Sequence, residues 1–572
     1  MDPLRIPRHS VPQIKNGYQA SERELKVDTA WVEPPYSIGG LDHLGAQAPC
    51  VLIYGQLLPG ITNVTDRARY YSFYPWLIWS LAQRFPDDED ETSFVERFRR
   101  ADCLFTLIAE HHAQCTDKIS ERHGAAMVGR QKLVSAVQRV LGGETLKLVR
   151  FTANDSEDRY FMNRMGGLSQ YYAGTLADLR VLDGGRKPWF RFTKEVGKPI
   201  AEAFDASVPA DLFWDILERG EVADAGLRQL YAFCPCHLRN AGSSEREQLI
   251  DIYFDRQCEY GEEGTQRKRS LALIQRLIDN LPPGIEFSEY VFRAAVYGNA
   301  LPGAMGWNLP ADLASTRENW AVYVRNDLLS VAVQTIFALA LKKLSPQTAG
   351  ERYVCDTVEA FAKAFEESDH VAGFVADTDG ATFGAWLSNI ESALPALGDW
   401  LADGHEMPLA QNVVSSWGRE SDSALLSSAM RVLAILAIRD DLNRAPYEGL
   451  AITPQALQDY PINLYTFRRK AAAWREMPLG DVVYDVVAWC MNTHLRVSLR
   501  KLHRTSSATF RFRPSERGLQ LTDGNIPAPS NTTPRFRQAF QILMDIGAVV
   551  RDDDKKTSLS VEGKQLMEAV SV

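Results

Sequence analysis

Apolar residues recur every three or four positions through most of the chain. The pattern is clearest over residues 72–83, 94–115, 271–281, 320–341 and 424–438. Positions at this spacing fall on one face of an α-helix, and that face is buried against neighbouring elements. The chain is therefore predicted to be mainly α, with a multi-domain helical body.

The pattern changes toward higher residue numbers, where short strands are predicted. A run rich in Pro, Ser and Asn over residues 523–533 predicts a linker or a long loop. Beyond it the sequence predicts a helix that ends at Gly547, strands over 548–551 and 557–561, and a helix over 562–570. Helix, hairpin and helix in this order outline a small winged-helix-like (α+β) C-terminal domain.

Two uses of this winged-helix-like domain stay open. Such folds place a helix in the major groove of DNA, and the first helix here contains Arg535 and Arg537. The turn of the hairpin contains Asp552, Asp553 and Asp554, which would repel phosphate. We therefore keep two hypotheses: the domain reads DNA bases through its first helix, or it serves for protein contact or packing.

Patterning and composition together divide the chain into five predicted segments. They are an extended N-terminal arm (1–40), an N-terminal helical domain (41–200), a central helical domain (201–450), a basic segment of helix and strand (451–522) and the winged-helix-like domain (523–572).

The 572 residues are 45% hydrophobic and 24% charged, an ordinary globular composition with a formal net charge of -10. An acidic surface repels nucleic acid except where basic residues collect. The first residues lack the apolar run of a secretory signal, and the longest apolar stretches are short and interrupted by polar residues. We expect a cytoplasmic protein without membrane contact, in which the eight cysteines are reduced.

Residues 465–518 reverse the charge of the chain, with eleven Lys or Arg against four Asp or Glu, a local charge of +7. Such a cluster creates a positive field that attracts phosphate, because Lys and Arg release the condensed counterions of a polyanion. Nucleic acid, with DNA ahead of RNA, is therefore the predicted partner.

Cations and aromatic residues are interleaved at the start of this segment. Residues 465–475, YTFRRKAAAWR, contain Tyr465, Phe467 and Trp474 together with four cations. Arginine can hold backbone phosphate while an aromatic ring stacks on a base. The stretch is therefore typical of a nucleic-acid-binding surface.

A predicted helix near residues 494–502 adds a basic stripe. Arg496 and Arg500 lie four positions apart on one face, while Val497 and Leu499 are expected to pack inward. The helix is thus predicted to be basic on one side and apolar on the other.

A predicted strand over residues 509–513 follows this helix. Its sequence, TFRFR, alternates strictly, so Phe510 and Phe512 are expected to face the core. Arg511 and Arg513 would then share the opposite surface. The candidate nucleic-acid contacts of the whole chain are Arg468, Arg469, Lys470, Arg475, Arg496, Arg500, Lys501, Arg504, Arg511, Arg513, Arg535 and Arg537.

Two further roles fit the same cations. They can pair with carboxylates of the acidic body, which would make the basic segment structural and favour a scaffold. They can also meet an anionic protein, which would feel the same field. Both alternatives stay open.

The segment before and within the first aromatic helix contains Asp66, Arg67 and Arg69. At least one of these arginines is expected to be drawn into the apolar setting and to need a carboxylate, and Asp66 is nearby. A structural ion pair and an anion-binding or catalytic pocket are the two interpretations.

Two segments resemble a known family. Residues 58–76, LPGITNVTDRARYYSFYPW, and residues 171–176, YYAGTL, are similar to the signature of a large uncharacterised bacterial family. Members of such families are often encoded among phage-defence genes. The resemblance implies a role in antiviral defence and assigns no activity and no residue role. We also expect protein partners in a multi-subunit defence complex.

Candidate metal ligands occur in two separate sets. The first set is Cys234, Cys236 and His237 with Cys258, in which the single residue between the first two cysteines is an unusual spacing for zinc. The second set is Cys103, His111, His112, Cys115 and His123, on or near one helix, and buried thiols and surface imidazoles explain it more simply. We therefore expect no metal and no cofactor.

Local signatures of common enzymes are missing from the sequence, including GxxxxGK[ST], GxGxxG, GxSxG and HExxH. We therefore expect a binding protein rather than an enzyme: a nucleic-acid-binding sensor or adaptor subunit of a bacterial anti-phage system, with self-association open. The alternatives are a metal-dependent nuclease or hydrolase effector, and a non-catalytic scaffold that recruits a separate ATPase or nuclease.

Overall fold

The computed structural model of the chain is mainly helical, which confirms the mainly α part of the predicted fold class. The predicted N-terminal arm (1–40) lies outside the described residues. The structure describes residues 42–86, 90–116, 123–183, 191–239, 243–344, 355–376, 378, 381–506, 508–516, 518–522, 524–552 and 556–570.

All five stretches that the apolar periodicity predicts are helical, but the helices Gly261–Asn280 and Ala311–Leu344 begin ten and nine residues earlier than predicted, and the helix predicted near residues 494–502 is the last part of the longer helix Leu479–Thr505. The helices of the first half of the chain are α1 (Ala48–Leu57), α2 (Tyr70–Arg84), α3 (Glu91–Gln114), α4 (Arg130–Leu141), α5 (Val149–Thr152), α6 (Ala173–Asp178), α7 (Gly197–Asp205), α8 (Ala210–Arg219), α9 (Asp224–Gln229), α10 (Ser244–Phe254) and α11 (Gly261–Asn280). A π-helical turn and two 3-10 turns accompany them, at Leu168–Tyr172, Tyr231–Phe233 and Pro235–Arg239.

The second half of the chain is also mainly helical. Its helices are α12 (Glu289–Gly298), α13 (Ala311–Leu344), α14 (Val358–Glu366), α15 (Asp369–Ala376), α16 (Phe383–Ser392), α17 (Glu406–Ser415), α18 (Asp422–Ile438), α19 (Leu464–Trp474), α20 (Leu479–Thr505), α21 (Phe536–Asp545) and α22 (Val561–Ala569).

The strands of the described residues form five separate antiparallel pairs and no larger sheet. The pairs are β1 (Leu146–Lys147) with β4 (Glu221–Val222), β2 (Leu182–Asp183) with β3 (Arg191–Phe192), β5 (Ala300–Leu301) with β6 (Met305–Gly306), β7 (Phe512–Ser515) with β8 (Gly518–Leu521), and β9 (Val549–Arg551) with β10 (Thr557–Leu559).

Buried apolar side chains from Leu44 to Met567 form one hydrophobic cluster. The 34-residue helix α13 is packed by α1, α12, α18 and α20. By length and composition α13 is the one described helix that could cross a membrane, and 89% of its most apolar stretch is buried inside the protein. The cluster crosses the boundaries proposed after residues 200 and 450, which stay predictions.

The buried Arg67 joins the segment before α2 to α21. Its Nε donates to Asp545 Oδ2 at 2.9 Å, and the same oxygen accepts the backbone N–H of Ala68 at 3.0 Å. Although burial disfavours the charge of Arg67, Asp545 outweighs this cost and holds the pKa of Arg67 above its usual value.

A second buried ion pair joins α2 to α10. Arg69 Nη2 lies 3.0 Å from Glu245 Oε2, and Ser72 Oγ donates to the other carboxylate oxygen at 2.6 Å. The expected ion pairing is thus confirmed, but the expected partner is wrong. Asp66 instead accepts a hydrogen bond from Gln538 at 3.0 Å.

A buried carboxylate holds three parts of the N-terminal helical region together. Asp102 of α3 accepts hydrogen bonds from Tyr74 Oη at 2.9 Å, from Tyr160 Oη at 2.8 Å and from the N–H of Gly167 at 3.1 Å. Burial raises the pKa of Asp102 to about 6, and the three hydrogen bonds oppose this rise.

The raised pKa of Asp102 predicts a stability that falls with pH. The folded protein holds this proton up to about pH 6, whereas an unfolded carboxyl loses it near 3.8. Relative to Asp102→Asn, the native chain should therefore lose about 2–3 kcal/mol of unfolding free energy between pH 4 and pH 7. Urea unfolding of both proteins at several pH values measures this difference, and a constant difference would refute the assignment.

The order helix, hairpin, helix predicted for the C-terminal region is present as α21, β9, β10 and α22. Helix α21 is largely buried: Phe536 packs against Phe292 and Phe287, with ring centroids 4.8 and 5.3 Å apart. Residues 553–555 of the hairpin turn lie outside the described residues. Helix α21 is therefore an integral piece of the protein core, whereas α22 buries only Gly563 and Met567.

Candidate nucleic-acid interface

Within the basic segment, residues 464–474 form α19 because a capping box begins this helix. Asn463 Oδ1 accepts the N–H of Thr466, and Thr466 Oγ1 accepts the N–H of Asn463, both at 3.1 Å. Phe467 and Trp474 of this helix are buried, so they cannot stack on a base as predicted. Tyr465 is half-buried and packs on another tyrosine ring of the protein.

Arg468 is neutralised inside the protein. Its guanidinium binds Asp440 in a bidentate manner, with N–O distances of 2.6 and 2.9 Å. The same carboxylate accepts Arg325 at 2.7 Å. Burial opposes the ionisation of Asp440, but the two guanidinium groups hold its pKa below the usual value. Arg468 therefore has an ion-pairing role in the structure.

The cations at the end of α20 also contact acceptors of the protein. Arg504 Nη2 lies 3.2 Å and Arg500 Nη1 3.8 Å from the carboxylate of Asp459. Lys501 Nζ donates to the backbone carbonyl of Asp42 at 2.5 Å, and burial lowers the pKa of Lys501. On the apolar side of this helix Val497 is buried as expected, while the prediction for Leu499 is wrong because it is 49% exposed.

The strand after α20 begins later than predicted, since β7 starts at Phe512, which is buried. Arg511 is half-buried and its Nε donates to His43 Nε2 at 3.3 Å. Arg513 is exposed. The two arginines therefore differ in their surroundings, although the alternation predicted one shared surface.

The two candidates in the C-terminal region contact the N-terminal segment. Arg535 Nη1 donates to the carbonyl of Leu58 at 2.8 Å, and its guanidinium lies 5.3 Å from the ring centroid of Tyr54. Burial lowers the pKa of Arg535. Arg537 is 64% exposed and lies 3.6 Å from Asp66. Helix α21, which was a candidate to enter the major groove of DNA, therefore begins at an arginine that faces the protein interior.

Four of the twelve candidates are exposed and have no carboxylate partner among the described residues. They are Arg469, Arg475, Arg496 and Arg513.

Arg469 of α19 and Arg496 of α20 line the same groove of about 500 Å³. Lys470 lies there as well, 2.7 Å from Asp485 and 5.3 Å from the ring centroid of Trp489. Three cations and one carboxylate give this lining an excess of two positive charges. We call this feature the α19–α20 groove.

Trp489 is the functional candidate that sequence reasoning missed. Its indole is half-buried and lines the groove. Of the three aromatic residues that the sequence pattern indicated, Trp474 also lines the groove, but Trp474 is buried. The signal was present: Trp489 precedes Arg496 by seven positions, which is two helical turns, so both lie on one face of α20.

Members of the two candidate ligand sets come together elsewhere, near the end of α3. The ligand atoms of His112, His123, Cys234 and Cys236 all lie within 4.8 Å of one another. A hydrogen bond with Cys234, together with burial, raises the pKa of Cys236 to about 12. Burial opposes the ionisation of Cys234, but that hydrogen bond and two nearby arginines hold its pKa below the usual value. These four residues are the described side chains suited to hold a metal.

Comparisons with family models, with curated proteins and with solved structures find no match to this chain. The resemblance of residues 58–76 and 171–176 to a bacterial defence-associated family therefore stays a prediction.

Proposed function

We propose that the chain binds single-stranded nucleic acid, with DNA as the first candidate, in the α19–α20 groove. Arg469 and Arg496 would contact backbone phosphates while a base stacks on Trp489. The observation on which this depends is that two exposed arginines without carboxylate partners among the described residues line one groove with an accessible indole.

The chemistry of the groove supports this ligand. Non-specific single-strand binding combines cations that follow the backbone with aromatic faces that accept any base. The local excess of two positive charges contrasts with the net charge of -10 of the whole chain. A groove of about 500 Å³ suits an extruded nucleotide better than a duplex.

We assign the winged-helix-like C-terminal region to packing rather than to base reading. Arg535 contacts the carbonyl of Leu58, and α21 is covered by neighbouring aromatic side chains. A helix that is packed on this side does not present Arg535 to a major groove.

In the cell, we propose a cytoplasmic sensor or adaptor subunit of an antiviral assembly. This part of the proposal depends on the resemblance of residues 58–76 and on the predicted nucleic-acid partner. Other protein subunits, and further copies of the chain, are the proposed assembly partners.

Reversal of both groove arginines should abolish most of the binding. The variant Arg469→Glu/Arg496→Glu is expected to bind a fluorescently labelled single-stranded DNA at least about tenfold more weakly, with the salt slope reduced by about 1.4. Trp489→Ala should weaken binding by about fivefold to a hundredfold, since it removes one stacking surface. Fluorescence anisotropy at several salt concentrations, with matched RNA, measures both effects.

The matched control is Arg475→Glu/Arg513→Glu, which makes the same change in net charge at exposed arginines outside the groove lining. It should retain affinity within about threefold, as expected for screened charges away from the ligand. Equal losses in both double variants, or no binding by the unmodified chain, would refute the groove as the site.

A scaffold is the second candidate function, and a specific observation favours it. Eight of the twelve predicted contacts touch acceptors of the protein itself, and the other four touch none among the residues that the structure describes. The eight are Arg468, Lys470, Arg500, Lys501, Arg504, Arg511, Arg535 and Arg537. If the anisotropy experiment shows no binding, co-purification of other subunits becomes the decisive measurement.

A further inference from the structure

Four metal-binding side chains from three separate segments converge beside the C-terminal end of α3. His112 lies in α3, His123 precedes α4, and Cys234 and Cys236 lie at the 3-10 turn Pro235–Arg239. His123 and Cys234 are buried, whereas His112 and Cys236 are half-buried. The cluster therefore lies just inside the surface, within reach of an ion from solvent.

The spacing of the ligand atoms matches a tetrahedral ion. Cys234 Sγ lies 3.4 Å from His123 Nδ1, and Cys236 Sγ lies 3.6 Å from His112 Nδ1. For Zn–S and Zn–N bonds of about 2.3 and 2.0 Å, ligand atoms around a tetrahedral zinc lie about 3.3–3.8 Å apart. The two measured pairs fall within this range, and all four atoms stay within 4.8 Å.

We propose that His112, His123, Cys234 and Cys236 bind one Zn²⁺ ion in a closed Cys₂His₂ site. Thiolate and imidazole ligands select zinc over the hard cations Mg²⁺ and Ca²⁺, which prefer oxygen. Four protein ligands fill the tetrahedral positions and leave none for water, so the ion is structural rather than catalytic. This reverses the expectation, formed from sequence spacing, that the chain binds no metal.

Two buried arginines fix the backbone of the ligand segments. Arg69 Nη1 donates to the carbonyl of Cys234 at 2.6 Å, and Arg67 Nη1 donates to the carbonyls of His123 at 3.3 Å and Ala125 at 2.8 Å. Contacts of this kind, made to the ligand residues from outside the metal site, hold the ligands in place and favour metal binding. Arg67 and Arg69 would thus support the metal site in addition to forming their ion pairs.

The alternative is a hydrogen-bonded network with no metal, in which each thiol contacts an imidazole and the two thiols contact each other. It would produce the same two sulfur–nitrogen distances. Metal content separates the two alternatives.

The first measurement is the zinc content of the purified full-length chain, determined by inductively coupled plasma mass spectrometry. The unmodified protein is expected to contain about one zinc per chain. Cys234→Ser/Cys236→Ser should lose most of it, whereas Cys258→Ser and His237→Asn, which change residues outside the cluster, should keep it. Zinc that is absent from the unmodified chain, or equal in all variants, would overturn the proposal.

A second measurement does not depend on the variants folding. The unmodified chain is dialysed against a chelator and titrated with Co²⁺, which should give the charge-transfer absorption of thiolate ligands and the visible bands of a tetrahedral ion, with saturation at about one equivalent. Displacement by Zn²⁺ should remove these bands. Failure of Co²⁺ to produce them would reject the site.

The groove variant Arg469→Glu/Arg496→Glu should keep its zinc, because its residues lie outside the cluster. The zinc site and the proposed nucleic-acid groove can therefore fail independently.

Discussion

Replacement of Arg67 with Met should lower the free energy of unfolding by about 3–5 kcal/mol, because it leaves the buried Asp545 carboxylate without its cation. Both side chains of this pair are at most 1% exposed. Among the described residues, the Asp545 carboxylate would keep neutral donors such as the N–H of Ala68 and the side chain of Gln541, but no cation. Chemical denaturation of the two proteins at neutral pH measures the loss.

The control is Arg537→Met, because Arg537 belongs to the same region but is exposed and 3.6 Å from its carboxylate. Its loss should stay within about 1 kcal/mol, the usual range for a surface pair. The double variant Arg67→Met/Asp545→Leu should lose less unfolding free energy than the two single variants lose together, since removing both charges avoids an isolated buried ion. Additive losses would show that the pair is not coupled.

Replacement of Arg69 with Met should cost a similar amount, about 3–5 kcal/mol. Glu245 would keep the hydroxyl donors Ser72 and Ser207, at 2.6 and 3.0 Å, but no cation from the described part of the chain. The carbonyls of Ala232 and Cys234 would lose the guanidinium that they share. The replacement should therefore disturb the backbone at Ala232 and Cys234 as well as the ion pair.

A second readout follows from the contact with Cys234. If the zinc site is present, Arg69→Met should weaken Zn²⁺ binding by about 10- to 100-fold, as loss of a supporting contact does at other metal sites. Arg84→Met is the control at the opposite end of α2, because Arg84 pairs with the exposed Asp211. It should change neither stability nor metal affinity appreciably. A stable Arg69→Met protein would contradict the role assigned to the buried pair.

Helical periodicity located five helices of the body and gave the bounds of three of them to within three residues, whereas α11 and α13 begin ten and nine residues before the predicted stretches. Residues 72–83 correspond to α2 (Tyr70–Arg84), 94–115 to α3 (Glu91–Gln114) and 424–438 to α18 (Asp422–Ile438). The agreement has a physical reason: each helix buries one apolar face, and burial of that face imposes the spacing of three and four. The helix and hairpin order after residue 533 was predictable because Gly547 and the polar turn end its elements.

Ion-pair partners were not predictable from the sequence. Asp66 is adjacent to Arg67 and was the obvious carboxylate, yet Arg67 and Arg69 bind Asp545 and Glu245. Partner choice depends on which carboxylate the fold brings into the same dehydrated space, and the spacing of residues along the chain contains no such information.

The same limitation explains the site residues. Sequence spacing separated Cys234 and Cys236 from His112 and His123, although the four lie in one cluster. Local charge likewise predicted a basic surface without identifying Arg468 as paired with Asp440. Where ligands come from distant segments, only the tertiary fold shows which side chains meet.

The pairing of Arg67 with Asp545 also affects how the protein can be made. The two residues are 478 positions apart. A ribosome that adds about 5–20 residues per second needs about 25–100 s to cover this distance. During that interval the nascent chain cannot bury the guanidinium beside its carboxylate, so α2 and its neighbours must wait for the far end before they pack completely. A product released before residue 545 would keep this region open to proteases and chaperones, which gives the cell a means of discarding incomplete copies.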